Sequence, residues 1–385
     1  MIRGHIDKID LSSSSFERII TEEKLYVDKT RMIENFLNNP SVVQLIARQR
    51  RLGKTMNMDM LGCFLTDKED KRHLFKGLYI ENSQVWEKAN SAPVFIFDFK
   101  ILNKEVYKEM LYVMVCDYID SYCGGDILSR AAKRYLDNDS FINSAGLLYL
   151  TESVYRATGK RSYIFIDEYD KLLMNTHNTE HYDEIRVFLS EFISSGFKGN
   201  PYLEKGLLTG VLRISHESML SGLNNLAAFD IFNDKLYTDD YGLTEEEVFE
   251  LCKHACFNID EARKWYNGIR VNGKPIYNTY ALMSFLTHGE YDCYWGRSGT
   301  MDLIIDLLNE DRKYNLTTLL NQEQMEVPLD KYVSLQRILN DSGEEALRQI
   351  DAKRYGANVA QSKKLVKVGI AFCKKQCKVR VSTQK

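Results

Sequence analysis

Residues 41–55 of the chain read SVVQLIARQRRLGKT, and this stretch decides the fold. Its first seven residues are mostly β-branched or aliphatic and have polar neighbours, which predicts a short buried strand. A polar loop follows, and the Met- and Leu-rich segment 56–65 predicts a helix directly after it. A strand, a loop and a helix in this order predict an anion site, because the free N–H groups at the start of a helix face negative charge.

The loop ends in Gly53, Lys54 and Thr55, as a P-loop does. In a P-loop the lysine neutralises the β- and γ-phosphates and the hydroxyl holds Mg²⁺. We therefore predict that Lys54 is catalytic and binds phosphate, and that Thr55 binds both nucleotide and metal. The other residues predicted to bind the nucleotide here are Arg50, Arg51, Leu52, Gly53 and Met56. An exposed Lys-Thr pair at an ordinary helix start is the alternative interpretation.

A later apolar run, residues 162–166, is followed directly by Asp167 and Glu168. The carboxyl ends of parallel strands share one edge of a sheet, so a carboxylate there can reach a metal ion at the loop. We predict that Asp167 binds Mg²⁺, through water. Glu168 is predicted to be catalytic, as a general base or as the group that positions the attacking water. The alternative is an exposed strand end without a role.

The last of the apolar runs, residues 206–212, carries Thr209 and is followed by Arg213. A polar residue at this position can sense the γ-phosphate, and an arginine can stabilise the charge that develops during phosphoryl transfer. Thr209 is therefore predicted to bind nucleotide and Arg213 to be catalytic. An arginine that is solvated or salt-bridged on the surface is the alternative for Arg213.

The alternation of apolar runs with long helical patterns predicts the fold class. Strands are expected at 41–47, 94–99, 162–166 and 206–212, with helices of ten or more residues between them. This pattern favours an α/β fold, a P-loop NTPase whose mostly parallel sheet is covered by helices.

The pattern changes at about residue 236, to helices with aromatic-rich connections. We predict an NTPase core over 1–235 and a mainly helical domain, lid-like or winged-helix-like, over 236–325. The remaining segment, 326–385, is predicted to be a separate small unit. With 385 residues, two or three domains are expected.

Composition excludes several classes of protein. The formal net charge is −3, so no global charge directs the chain to nucleic acid or to an acidic membrane. No apolar run is long enough to span a membrane, and the first residues do not resemble a signal peptide. We expect a cytoplasmic protein without a membrane partner.

Further motifs follow one another along the chain in a recognisable order. They are YVDKT (26–30), RRLGKT (50–55), IDEYD (166–170), LTG (208–210), SGLNN (221–225), GLTEEEV (242–248), WYNG (265–268) and IYN (276–278). In this order they resemble the bacterial AAA-ATPase-like family, over about residues 10–300. The resemblance implies an ATPase with ATP and Mg²⁺ as cofactors. The family's loop typically reads Arg-Pro-Arg-Arg-Phe-Gly-Lys-Thr, so an arginine is expected at 48, whereas Gln49 and Leu52 depart from it.

Members of that family usually end in a PD-(D/E)XK nuclease-like domain. Three C-terminal stretches resemble its closing segment: ALRQI (346–350), KRY (353–355) and VGIAF (368–372). The metal-binding Asp and Glu-x-Lys of such a nuclease are missing between about 310 and 345, so 326–385 is predicted to be a truncated remnant. Nuclease activity is not expected, because DNA cleavage needs carboxylates that converge on a metal ion.

The leading functional hypothesis is Mg²⁺-dependent ATP hydrolysis that drives a switch in the 236–310 region. One alternative is a nucleotide-binding interaction module without turnover. Another is an ATP-dependent protein that binds nucleic acid through its tail, because residues 353–385 contain many lysines and arginines and no acidic residue. Association of several copies of the chain into a homo-oligomer is also left open.

Overall fold

The computed structural model describes most of the first 294 residues and a C-terminal hairpin. The described ranges are 2–124, 139–176, 179–211, 223, 225–266, 269–292, 294, 365–373 and 376–384. For 139–144 and the last two ranges only the backbone is described. The chain forms two compact units, one of Met1–Arg213 with Met219–Trp295 and one of Ile214–Ser218 with Gly296–Lys385.

The regular elements of the described residues are numbered in chain order. The strands are β1 (Ile2–Arg3), β2 (Tyr26–Val27), β3 (Val43–Ala47), β4 (Val94–Asp98), β5 (Ser162–Asp167), β6 (Leu203–Gly210), β7 (Leu226–Phe229), β8 (Ile269–Val271), β9 (Lys274–Ile276), β10 (Leu365–Cys373) and β11 (Gln376–Gln384). The helices are α1 (Phe16–Thr21), α2 (Arg31–Asn38), α3 (Lys54–Leu65), α4 (Tyr107–Cys123), α5 (Asp139–Thr158), α6 (Lys171–Thr176), α7 (Tyr182–Phe197), α8 (Glu245–His254), α9 (Ile259–Tyr266) and α10 (Thr279–His288). Short 3₁₀ turns lie at Arg72–Phe75, Tyr79–Asn82, Gln84–Lys88 and Phe99–Ile101.

A five-stranded sheet forms the centre of the first unit. Its strands follow the order β4-β5-β6-β3-β7, and every neighbouring pair is parallel. All residues of β3 and β5 are buried, as expected for strands with helices over both faces. The predicted α/β class with a helix-covered parallel sheet is confirmed. Because the strands are parallel, the ends of β3, β4, β5 and β6 lie along one edge, and this edge carries the candidate site.

A side chain covers part of the outer edge of the sheet, at β4. The Tyr118 hydroxyl, on α4, accepts a hydrogen bond from the Ile96 N–H at 3.0 Å and donates one to the Ile96 carbonyl at 2.8 Å. These backbone groups lie in β4, where they would otherwise face an open sheet edge. Satisfying them protects the strand from pairing with another chain.

The strand β7 was not predicted from the sequence, although it pairs with β3 over four residues. Its sequence, LAAF, is short, contains two alanines and is only half-buried, so it has little of the β-branched and aromatic character typical of strands. Pairing with the buried strand β3 therefore decides its conformation.

The region after 236 belongs to the same compact unit as the sheet, up to Trp295. Within the described part of it, the helices α8 and α9 precede the antiparallel hairpin β8–β9, and α10 follows it. Lys29 joins this region to the N-terminal segment, because its ammonium lies 2.6 Å from the Glu247 carboxylate on α8. The predicted boundaries at 235 and 325 stay predictions.

The second unit is described only by β10 and β11, which pair antiparallel from Leu365–Gln384 to Cys373–Gln376. Its assignment as a nuclease-like remnant stays a prediction. No helix among the described residues has the length and apolar character needed to cross a membrane.

Candidate nucleotide-binding site

The loop after β3 turns into α3 at Gly53. This residue precedes the first turn of the helix and has a left-handed backbone with φ of +83°. A side chain at this φ costs about 1–2 kcal/mol, which explains the glycine. Space is not the reason, because a Cβ built there meets no atom within 4 Å. The helix therefore begins at Lys54, with its first N–H groups at the loop.

Three of the predicted polar residues meet at the edge of the sheet. The Thr55 hydroxyl donates a hydrogen bond to Oδ2 of Asp167 at 2.6 Å, across 112 residues of sequence. The Thr209 hydroxyl, from β6, donates to Oδ1 of the same carboxylate. Asp167 and Thr209 are buried, whereas Thr55 is exposed, so the cluster opens to solvent at Thr55.

Lys54 is buried and folds back onto its own loop. Its ammonium donates to the carbonyl oxygens of Arg48 at 3.0 Å and Gln49 at 2.9 Å. Burial lowers the pKa of Lys54, while the negative charges of Asp167 and Glu168 oppose that change. The positive charge at the start of α3 is thus held next to the acidic end of β5.

Glu168 follows the strand in a left-handed conformation, with φ of +47°. Its backbone N–H donates to Oδ1 of Asp167 at 2.9 Å, and its side chain is half-buried. The Glu168 carboxylate is near enough to influence the pKa of Lys54. A non-glycine residue at positive φ costs energy, and such residues are concentrated at functional sites.

The two arginines of the loop contact the helix α10. The Arg50 carbonyl accepts a hydrogen bond from the Asn278 amide at 3.4 Å. The Arg51 guanidinium carbon lies 3.8 Å from the centre of the Tyr280 ring, a cation–π distance. Both loop residues therefore contact the segment that begins α10.

The remaining predicted residues are two apolar residues beside the loop and Arg213. Leu52 is 1% exposed and packs in the core, while its carbonyl accepts a hydrogen bond from the Gly242 N–H at 2.9 Å. Met56 is half-buried and packs against the same core. Arg213 lies outside the described residues.

Arg48, at the position of the usual first glycine, is fully buried. Its guanidinium forms an ion pair with Asp234, whose side chain is also fully buried. The sequence shows this unusual arginine but not its partner, which lies 186 residues away.

Asp98 was missed as a site residue. It ends β4 and stands directly beside Asp167 in the register of the two parallel strands. A cavity of about 150 Å³ adjoins both carboxylates and is lined by Ser14, Ser15, Thr55, Met58, Asp59, Ile96, Asp98 and Asp167. Burial raises the pKa of Asp98, and the neighbouring charge of Asp167 raises it further. The available signal was an acidic residue at the end of a strand next to the one carrying Asp167.

The side chains at this edge fit a magnesium ion. Mg²⁺ prefers oxygen ligands and is typically held by one or two protein side chains together with phosphate oxygens and water. Thr55 and Asp167 supply a hydroxyl and a carboxylate that already touch. Among the described residues no group of three or more His, Cys, Asp or Glu side chains is arranged to hold a metal without such additional ligands.

The chain is similar to known proteins over most of its length. A family model described as predicted AAA-ATPase matches residues 11–220. The chain is also 27% identical over 311 residues to an uncharacterized protein in the vnfD 5′ region of Azotobacter chroococcum mcd 1. That alignment covers 80% of this chain and 57% of the relative, so the chain spans little more than half of the relative's length.

Proposed function

Because the chain belongs to the predicted AAA-ATPase family, we propose that it binds ATP with Mg²⁺ at the loop 48–55 and hydrolyses the nucleotide. The observation that carries the proposal is the 2.6 Å hydrogen bond between Thr55 and Asp167. It joins the start of α3 to the end of a neighbouring parallel strand, the arrangement that a nucleotide and its metal require.

Five residues have a role in the proposed reaction. Lys54 would exchange its bonds to the loop carbonyls for bonds to the β- and γ-phosphates. Thr55 and Asp167 would hold Mg²⁺, which neutralises phosphate charge when bound. Glu168 would orient the attacking water and take up its proton. Thr209 would fix the Asp167 carboxylate and thereby the metal site.

A switch is also part of the proposal. The loop bonds at two carbonyls to the region after 236, through Gly242 to Leu52 and through Asn278 to Arg50. Binding of phosphate would change the backbone of the loop and therefore these bonds. Movement of the segments that carry Gly242 and Asn278 is the expected consequence.

Replacement of Lys54 by Ala tests the proposal. We expect Mg²⁺-dependent ATP turnover to fall on the order of 100-fold, because a preorganised charge on the transferred phosphoryl group is lost. Turnover is measured as released phosphate, and affinity by calorimetry with ATP and Mg²⁺.

Lys205→Ala is the matched control. Lys205 is half-buried and, like Lys54, donates to main-chain carbonyls, those of Asn39 and Ser41, but it lies near the amino-terminal end of β6. Its replacement should leave turnover unchanged. Equal turnover in wild type and Lys54→Ala would end the claim of chemistry at this loop.

The alternative hypothesis is that the chain binds nucleotide without hydrolysing it. In that case Lys54→Ala should lose affinity for ATP, and the wild type should release no phosphate. Nucleic-acid binding by residues 353–385 and homo-oligomerisation stay predictions.

A further inference from the structure

The start of the phosphate loop is held by a buried arginine. The Arg48 side chain is 0% exposed, and its guanidinium contacts three acceptors. It donates to the carbonyl of Ala47 at 2.9 Å and to the carbonyl of Phe229 at 3.2 Å, and it pairs with the Asp234 carboxylate. These contacts join the end of β3 to the end of β7 and to the segment that follows it.

Asp234 is held equally firmly. Its Oδ1 accepts hydrogen bonds from the N–H groups of Leu236 at 2.8 Å and Tyr237 at 2.7 Å, while Oδ2 faces Arg48. The backbone directly after Asp234 therefore fixes the position of its carboxylate, and the carboxylate holds the Arg48 guanidinium in turn.

The backbone of Arg48 is the part that reaches the phosphate-binding residue. Its N–H donates to the Gly210 carbonyl at the end of β6, at 3.0 Å. Its carbonyl accepts from the Lys54 ammonium at 3.0 Å. The anchored residue thus sets the position of an oxygen that holds Lys54.

We propose that Arg48 and Asp234 are positioning residues for Lys54, and that their buried pair fixes the start of the phosphate loop where other P-loops have a glycine. This inference rests on the proposed function of the loop. In other P-loops the backbone N–H groups of a glycine-rich loop cradle the phosphates. Here a side chain anchored by the end of β7 and by the segment that follows it holds the backbone in place.

A contribution to stability alone does not account well for such a pair. Removing two charges from water costs about as much as their attraction returns, so a buried ion pair adds little compared with apolar side chains of similar volume. What the pair adds is one defined geometry, because the planar guanidinium meets three acceptors at once.

The test compares the double variant Arg48→Met/Asp234→Leu with the wild type, each with and without Lys54→Ala. The probe is a fluorescent ATP analogue with Mg²⁺, and thermal unfolding is followed in parallel. Replacing both partners leaves no lone buried charge, so the fold is expected to survive.

In the wild-type background the double variant should bind the probe about tenfold more weakly, the loss typical of one bond to a charged group. Turnover should fall on the order of 100-fold. In the Lys54→Ala background the same change should have less than about twofold effect on affinity, because residues that act through one group are not additive. A purely structural role would give equal losses in both backgrounds and would overturn the inference.

Lys29→Met/Glu247→Gln is the matched control. It removes another largely buried ion pair, with a 2.6 Å contact, that does not touch the loop, and glutamine can keep the capping box of α8. Its affinity for the probe should match the wild type. A tenfold loss in this control would also overturn the inference, since any buried pair would then act alike.

Arg48→Lys keeps the positive charge but loses the planar guanidinium. This variant replaces the double variant in the test if the double variant does not fold. It should weaken probe binding in the wild-type background and have no effect in Lys54→Ala. Unchanged affinity in the wild-type background would contradict the role of Arg48. A wild type that neither binds nor hydrolyses the probe would instead contradict the proposed function.

Discussion

At the scale of single residues, Glu168 is the most informative position for chemistry. Its backbone has a φ of +47°, and its N–H is bonded to the adjacent Asp167 carboxylate. The two consecutive carboxylates have different surroundings at this strained turn: Asp167 is bonded to Thr55, whereas Glu168 is half-buried and near enough to influence the pKa of Lys54. A division of labour between a metal ligand and a base follows from the proposed function.

Replacement of Glu168 by Gln should separate binding from turnover. We expect ATP affinity to stay within about threefold of wild type, because neither phosphate nor metal loses a ligand, while turnover falls about 100-fold or more with the loss of the base. Phosphate release and calorimetry measure the two quantities. Glu204→Gln, which changes a carboxylate near the start of β6, is the control and should retain wild-type turnover. Normal turnover in Glu168→Gln would assign the base elsewhere.

At the scale of elements, the connection between β7 and α8 determines how the loop is held. Tyr237 and Tyr241 in this connection are fully buried, and the Tyr237 hydroxyl donates to the Gln44 amide oxygen of β3. Gly242 follows with φ of +86° and donates its N–H to Leu52. The connection therefore packs against β3 of the sheet and also contacts the phosphate loop.

Gly242→Ala should damage both stability and binding. A Cβ there would lie 2.4 Å from Cγ2 of Ile276 and 3.0 Å from Cδ2 of Leu52, in addition to the strain at positive φ. We expect a loss of about 3 kcal/mol or more in the free energy of unfolding, and weaker ATP binding because Leu52 must move. Urea unfolding and calorimetry measure the two effects.

Gly273→Ala is the control for strain alone. Its φ is +82°, but a Cβ there meets nothing within 4 Å. It should cost about 1–2 kcal/mol and leave ATP affinity unchanged. Equal effects of the two substitutions on affinity would show that Gly242 is not coupled to the loop.

At the scale of the whole molecule, one buried carboxyl group should shape the dependence of stability on pH. Asp240 is 4% exposed and accepts a hydrogen bond from the Asn35 amide at 2.7 Å. Burial raises its pKa from 3.8 to about 6. The folded protein then holds this proton more tightly than the unfolded chain, so stability falls as pH rises from about 4 to about 6.

Asp240→Asn should remove this loss. The amide oxygen can still accept from Asn35, and no charge has to be buried. Above pH 7 we expect the variant to be more stable than wild type by up to about 3 kcal/mol, and at pH 4 to differ little. Unfolding in urea between pH 4 and 8 measures the difference. Asp120→Asn changes an exposed carboxyl group and is the control. A difference that is the same at every pH would contradict the assignment to Asp240.

The local sequence was enough to determine the strand, loop and helix from Val43 to Leu65 and the acidic end of β5. Burial on both faces produces continuous apolar strands, and a helix start after a glycine has its own signature, so neighbouring residues carry this information. The parallel sheet followed from the alternation of strands with long helices.

Only the tertiary structure decided which further distant residues join the site beyond Thr55 and Asp167. Asp98 lies beside Asp167 because β4 pairs with β5, and Arg48 finds Asp234 because β7 pairs with β3. Strand order governs both contacts, and it depends on packing across the whole unit. A half-buried strand such as β7 has no strong local pattern, so neither its place nor the anchor that it positions could be predicted from the sequence.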